Sequence, residues 1–226
     1  MTTPTFQRAH SQEQRAHRRA TILDATTAML AEMRVGQVTL TELSRRAGLA
    51  KSNVLRYFES REDVLLQVLD AAAREWLDAL GEEFQRIRAN TSVSARCDAV
   101  AEILTRTLSA RTVFCDLIAS QAAVLEHNVS TEVVAQFKRA AVANVAVLAR
   151  LVGQVVPELS EPAAWQFAGT AVMMTGALWT HSRPSAAVEA AYQAHDDLAA
   201  MRLDFTSALR GTLTTLLAGL LARPPH

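Results

Sequence analysis

Asn53, Arg56 and Tyr57 are the residues of this chain whose types and spacing best suit chemistry on a partner. On a helix turning about 100° per residue they share one face, and Val54, Leu55 and Phe58 fall on the opposite one. An arginine can donate two parallel hydrogen bonds to a guanine edge, an asparagine can donate to and accept from adenine, and a tyrosine hydroxyl can reach a phosphate oxygen. Lys51 adds charge just before the segment, and Ser52 stands where a helix start turns free amides toward a phosphate. With its apolar side buried against Leu43, Ala47 and Ile22, such a helix can present its polar side to a nucleic-acid groove. The partition alone leaves a polar side that meets only water equally open.

Positioning these residues falls to short helices on either side. Helical periodicity begins near Glu13 and runs through Ile22, Ala25, Met29 and Met33 to a stop at Gly36, with residues 1–12 polar, aperiodic and expected to form a mobile tail. Thr39-Leu40-Thr41-Glu42 has the capping-box pattern, in which Thr39 accepts from the Glu42 amide and the Glu42 carboxylate returns to the Thr39 amide. The helix it starts is short, because Gly48 stops it, and a second short helix is expected from about Ser52 to Phe58. Two short helices around a glycine turn make a helix-turn-helix. Ser60 and Asp63 then cap a long helix with the stripe Leu65, Val68, Leu69, Ala72, Trp76, Leu80 and Phe84. Further helices are expected near 93–109, 112–126, 131–156, 162–181, 186–195 and 199–221, separated by Ser, Asn and Pro clusters. The expected fold is all-α: a three-helix helix-turn-helix domain over 13–60, then a helical bundle over 61–226.

Composition agrees with helix, since 50% of the 226 residues are hydrophobic but only 5% are aromatic, and Ala, Leu and Val carry the apolar content. Net charge is zero, which argues against bulk electrostatic attachment to nucleic acid. Residues 1–64 nevertheless carry ten Lys and Arg against seven Asp and Glu, leaving the amino-terminal part at +3. Cys97 and Cys115 have neither CxxC spacing nor a companion histidine cluster, so they read as reduced, buried thiols and no metal site or cofactor is expected. The amino terminus has no apolar signal core, which points to the cytoplasm. The uncharged run Pro162 to Ser182 is rich in Ala and Gly and holds Gln166 and His181, so it reads as a helix between protein partners rather than a membrane span. No nucleophile motif, phosphate loop or HExxH spacing is present, and His195-Asp196-Asp197 reads as a solvated helix face, so no enzyme is expected.

The run VTLTELSRRAGLAKSNVLRYFESREDVLLQVL, preceded by RRATILDATTAMLAEM, resembles the DNA-binding domain of the TetR family of bacterial regulators. The likeness is close over about residues 15–70 and beyond that extends to helix count and length only. It implies that Thr39, Lys51, Tyr57 and Arg61 touch phosphates, that Ser52, Asn53 and Arg56 lie in the major groove, and that Thr41 belongs to the same DNA-binding set. Leu55 departs from the tyrosine common in relatives, and Arg56 stands where histidine is frequent, so the preferred bases should differ from the commonest operators.

One short helix reads few base pairs and a neutral protein binds DNA weakly, so two copies on a palindromic double-stranded site are expected. Trp165, Gly169, Val172 and Gly176 on one helix and Leu209, Leu213, Leu216 and Leu220 on the last recur at 3–4 spacing and are candidates for a four-helix homodimer interface. The resemblance also implies a cavity for a largely apolar small-molecule effector that releases a repressor, for which Trp76, Phe84, Phe114, Phe137, Met173, Met174 and Trp179 are candidate lining, with His127, His181 or Tyr192 as a polar handle. The competing reading is a helical small-molecule-binding protein without DNA-binding activity.

Overall fold

Thr39 begins α2 (Leu40–Arg46) as its spacing predicts, its Oγ1 accepting from the Glu42 amide at 3.1 Å. The reciprocal half of the capping box is absent. The Glu42 carboxylate instead accepts from Arg45 Nε at 2.9 Å and Nη2 at 2.6 Å and from Arg46 Nε at 3.1 Å. Charge-assisted bonds to two guanidiniums outweigh one to a backbone amide. At the other end of α2 the Leu49 amide reaches back to the Ser44 carbonyl at 2.9 Å and the Gly48 amide to Arg45 at 3.2 Å, with Gly48 at φ 66°. This is the Schellman closure, and its left-handed residue is where glycine is favoured.

The computed structural model describes the backbone of residues 4–223 and the side chains of 13–223, and every regular element among them is helical. α1 (Pro4–Glu32) starts well before Glu13, so the segment expected as an aperiodic tail is helical backbone from Pro4, a residue whose fixed φ suits a first helical position. A 3₁₀ turn, Val35–Gln37, leads into α2. α3 (Lys51–Val54) is followed by α4 (Arg61–Phe84), α5 (Val93–Ser109), α6 (Thr112–Ser120) with a π turn at Gln121–Leu125, α7 (Thr131–Val155), α8 (Glu161–His181), α9 (Ala186–Ala194), α10 (Asp196–Ala199) and α11 (Phe205–Leu221). The last helix starts at Phe205 rather than 199 because Asp204 caps it, its Oδ1 accepting from the Ser207 amide at 2.8 Å.

The chain divides into two compact units, residues 1–71 with 120–137, and residues 72–119 with 138–226. The division falls inside α4 rather than at residue 60, because Val64, Leu65 and Val68 are buried in the first unit beside Ile22, Met29, Leu43, Val54 and Phe58. In that unit Glu59 also accepts from the Ser130 amide at the start of α7. In the second unit α11 packs on α5 and α8 and buries Leu209, Leu213, Leu217 and Leu220. α8 closes tightly on α6 at Gly176, where an added Cβ would stand 3.1 Å from Ile118 Cγ2 and 3.4 Å from the Ala119 Cα. At Gly169, on the same helix, nothing lies within 4 Å of that position. Gly176→Ala should therefore lower stability to urea by ~1–3 kcal/mol through overpacking, whereas Gly169→Ala should leave stability unchanged or slightly raised, because alanine is the better helix former and meets nothing there.

Candidate nucleic-acid interface

α3 is a single α-helical turn, shorter than the helix expected over 52–58. Beyond Val54 the coil tightens, with Arg56 bonding back to the Asn53 carbonyl at 3.3 Å and Tyr57 to Val54 at 2.9 Å, and Phe58 closes it on Val54 at 3.1 Å. Val54 and Phe58 face inward, buried to 0% and 2% exposure. Leu55, expected beside them, is 45% exposed. The reason is geometric: Val54 and Phe58, four residues apart, fill the inward side, and Leu55 lies about 100° around the axis from Val54. Lys51, Ser52, Asn53 and Arg56 are exposed and Tyr57 is half-buried, so the polar edge read from spacing is outward. Thr39 and Thr41 are exposed as well.

The segment is held from behind by α1. Arg19 Nη1 donates to the Tyr57 carbonyl, Nη2 donates to Gln67 Oε1 at 2.5 Å, and the guanidinium carbon stands 4.5 Å from the centre of the Phe58 ring. Gln67 in turn donates to Asp63 Oδ1 at 2.7 Å, and Asp63 Oδ2 accepts from the Glu59 amide at 2.8 Å. This chain fixes the exit of the recognition segment against both α1 and α4. Arg61, expected on a phosphate, turns its guanidinium to the protein: Nη1 donates to the Val38 carbonyl at 2.9 Å and Nε lies 3.2 Å from Glu62 Oε1. In the sequence Arg19 is only one of several cations, since its partners are 38 and 48 residues away.

Some cations of this unit are tied up within it and others are not. Arg45 and Arg46 share Glu42, and Arg46 also pairs with Glu32 at 2.7 Å, tying α2 to α1. The two guanidiniums hold the Glu42 carboxyl down at about 2, so it stays ionised far into acid. Arg15, Arg18, Lys51 and Arg56, by contrast, have no ion-pair partner among the described residues. An outward surface with uncompensated charge surrounds the reading segment.

In the second unit the candidate lining residues separate. Trp76 lies tilted against Phe114, ring centres 5.6 Å apart, and its indole N–H donates to Thr107 Oγ1 at 3.1 Å. Trp179 meets Phe205 edge-on at 4.9 Å, donates to Asp116 Oδ1 at 3.1 Å and carries the Arg183 guanidinium 4.1 Å above its ring. Phe84 lines a crevice of about 210 Å³ with Gly81, Ile87, Arg96, Leu151 and Val155. Phe137 is buried in the first unit. Met174 is half-buried, and Met173 is 68% exposed on α8 and lines no interior. His127 and His181 are exposed and Tyr192 is half-buried. Both cysteines are buried, and Cys115 donates to the Leu108 carbonyl at 3.3 Å with burial pushing its thiol up to about 12. No single helix among the described residues is long and apolar enough to cross a membrane.

The residues expected at a homodimer interface separate as well. Leu209, Leu213 and Leu220 are buried within the chain, where α11 packs on α5 and α8, and Gly176 faces α6, so these four are core. Leu216 and Val172 are half-buried. The outward stripe of α8 is Trp165, Gly169 and Met173, and that of α11 carries Gly211, Thr215 and Gly219.

Comparison with known proteins bears directly on this arrangement. Residues 22–68 match the family model for bacterial regulatory proteins of the tetR family, and residues 70–224 match a tetracyclin repressor-like carboxy-terminal domain. The chain belongs to the TetR family of bacterial transcriptional regulators. No curated protein sequence matches it. Among solved structures it is similar to the fatty acid degradation regulator FadR from Bacillus halodurans, at 18% identity and TM-score 0.55, covering 90% of this chain and 96% of that one. A TetR transcriptional regulator from Rhodococcus sp. RHA1 matches at 17% and 0.55, covering 92% and 98%. FadR from Bacillus subtilis, solved in complex with stearoyl-CoA, matches at 15% and 0.55, covering 88% and 96%.

Proposed function

We propose that this regulator binds a palindromic operator as a homodimer and represses until a partly apolar small molecule enters its second unit. The observation that carries the reading is the two-sided recognition segment: Val54 and Phe58 are buried while Asn53 and Arg56 are exposed. Arg56 and Asn53, with Ser52, read base edges; Lys51, Thr39, Thr41 and the Tyr57 hydroxyl lie along phosphates. Arg61 is reassigned from contact to support, since its guanidinium is already engaged by Val38 and Glu62. The protein acts where the DNA is, in the cytoplasm, and not as an enzyme.

Dimerisation uses the outward face of α8 and α11, with Trp165 and Met173 as large residues set beside the small Gly211, Thr215 and Gly219 of the facing copy. Two reading heads joined this way meet successive major grooves, and a ligand that shifts their separation releases the operator. That FadR of Bacillus subtilis is solved with stearoyl-CoA makes acyl-CoAs the first effectors to screen.

An operator selected from random duplexes should lose ~1–3 kcal/mol of affinity with Arg56→Ala and relax its preference at one base position per half-site; a variant that binds as wild type, or a wild type that selects no sequence, contradicts the reading. Met173→Glu should give a folded monomer by light scattering, because the residue is 68% exposed in the subunit but central to the pairing face. A dimer of undiminished strength would place the interface elsewhere.

A further inference from the structure

Beside the reading segment lies a groove of about 740 Å³, open to solvent and lined by Gln14, Arg15, His17, Arg18, Arg56 and Tyr57. Three arginines and an imidazole converge on it, and no carboxylate is among its described lining residues. Arg15, Arg18 and Arg56 have no ion-pair partner among the described residues, while other guanidiniums of the same unit, those of Arg45, Arg46 and Arg61, are paired with acids. Like charges gathered in a concavity repel one another and focus a positive field, an arrangement that an anion relieves.

The placement follows from the fold. Arg19, whose guanidinium is under the Tyr57 carbonyl, ties the leading half of α1 to the recognition turn. Arg15 and Arg18, three residues apart on that helix, are one turn's neighbours on its surface, and both remain exposed. α1 and the recognition turn therefore form the two walls of one groove, and Arg56 belongs both to the groove and to the reading edge. An anion seated there must be continuous with whatever Arg56 and Asn53 read.

We infer that this groove takes the sugar-phosphate backbone flanking each half-site, and that Arg15 and Arg18 are phosphate-binding residues that add affinity without base preference. The inference rests on the DNA-reading function proposed above. A discrete anion would use part of the groove, whereas a polyanionic strand uses its open length and its continuity with the recognition segment. Sequence-independent binding of this kind also answers a physical need, because a protein of zero net charge must gather its DNA-attracting charge locally.

The test is the salt dependence of operator binding by the full-length protein. For Arg15→Gln/Arg18→Gln, the slope of log affinity against log salt should fall by about 0.9 for each phosphate no longer neutralised, close to two per subunit. The ranking of operator variants should stay that of wild type, and the hydroxyl-radical footprint should shorten at its outer edges. Arg15→Lys/Arg18→Lys should keep the slope, and melting curves of both variants should match wild type, since the residues are exposed. An unchanged slope in the Gln variant, with wild type still binding its operator, overturns this inference alone. A change in base ranking in place of a change in slope overturns it too. A wild type that binds no duplex defeats the DNA-reading function and this inference together.

Discussion

A single guanidinium, that of Arg19, holds the recognition turn to the body of its domain: it donates to the Tyr57 carbonyl, lies against the Phe58 ring and binds Gln67 of α4. The turn needs such support because α3 has only one regular α-helical turn, and a helix so short is not stable by its own hydrogen bonds. Val54 and Phe58 supply the apolar anchor, and Arg19 satisfies the carbonyl left over where the coil tightens. The side chains of Asn53 and Arg56 are then directed outward, opposite these anchors.

Charge is sorted by the same architecture. Several carboxylates join elements: Glu42 and Glu32 fasten α2 to α1 through Arg46, Asp63 braces the loop before α4, and Glu59 meets the start of α7. Arg15, Arg18 and Arg56, without acids among the described residues, are exposed beside the reading segment. A chain of zero net charge thus carries a locally cationic face, consistent with the +3 balance of residues 1–64. Salt bridges on such a surface contribute little stability individually; here they also decide which cations remain free to meet a polyanion.

Much of this was legible in the sequence because caps and breakers act locally. Thr39, Ser60, Ser92, Ser130 and Ser160 each accept from the amide three residues on, and helices begin beside them. The outward set Asn53 and Arg56 followed from angular spacing alone. What was not legible depends on partners distant in sequence or on competition between nearby bonds. The leucines of α11 form a buried stripe, as periodicity indicates, but a stripe does not name the surface that covers it, and α5 and α8 of the same subunit do. Met173 and Trp179 lie on one apolar helix, yet Met173 faces out and Trp179 is held against Phe205 and Asp116. Glu42 left the capping box for two arginines, a competition between bonds that a four-residue pattern does not contain.

If Arg19 acts by aiming the reading residues, its loss and the loss of Arg56 cannot be independent, and a double-mutant cycle on operator affinity measures this most directly. With Arg19→Met and Arg56→Ala, singly and together, in protein verified as folded, the account predicts a coupling of at least ~0.5 kcal/mol, the Arg56 effect shrinking once its support is gone. Strict additivity, within the ~0.3–0.5 kcal/mol typical of unconnected sites, would contradict it.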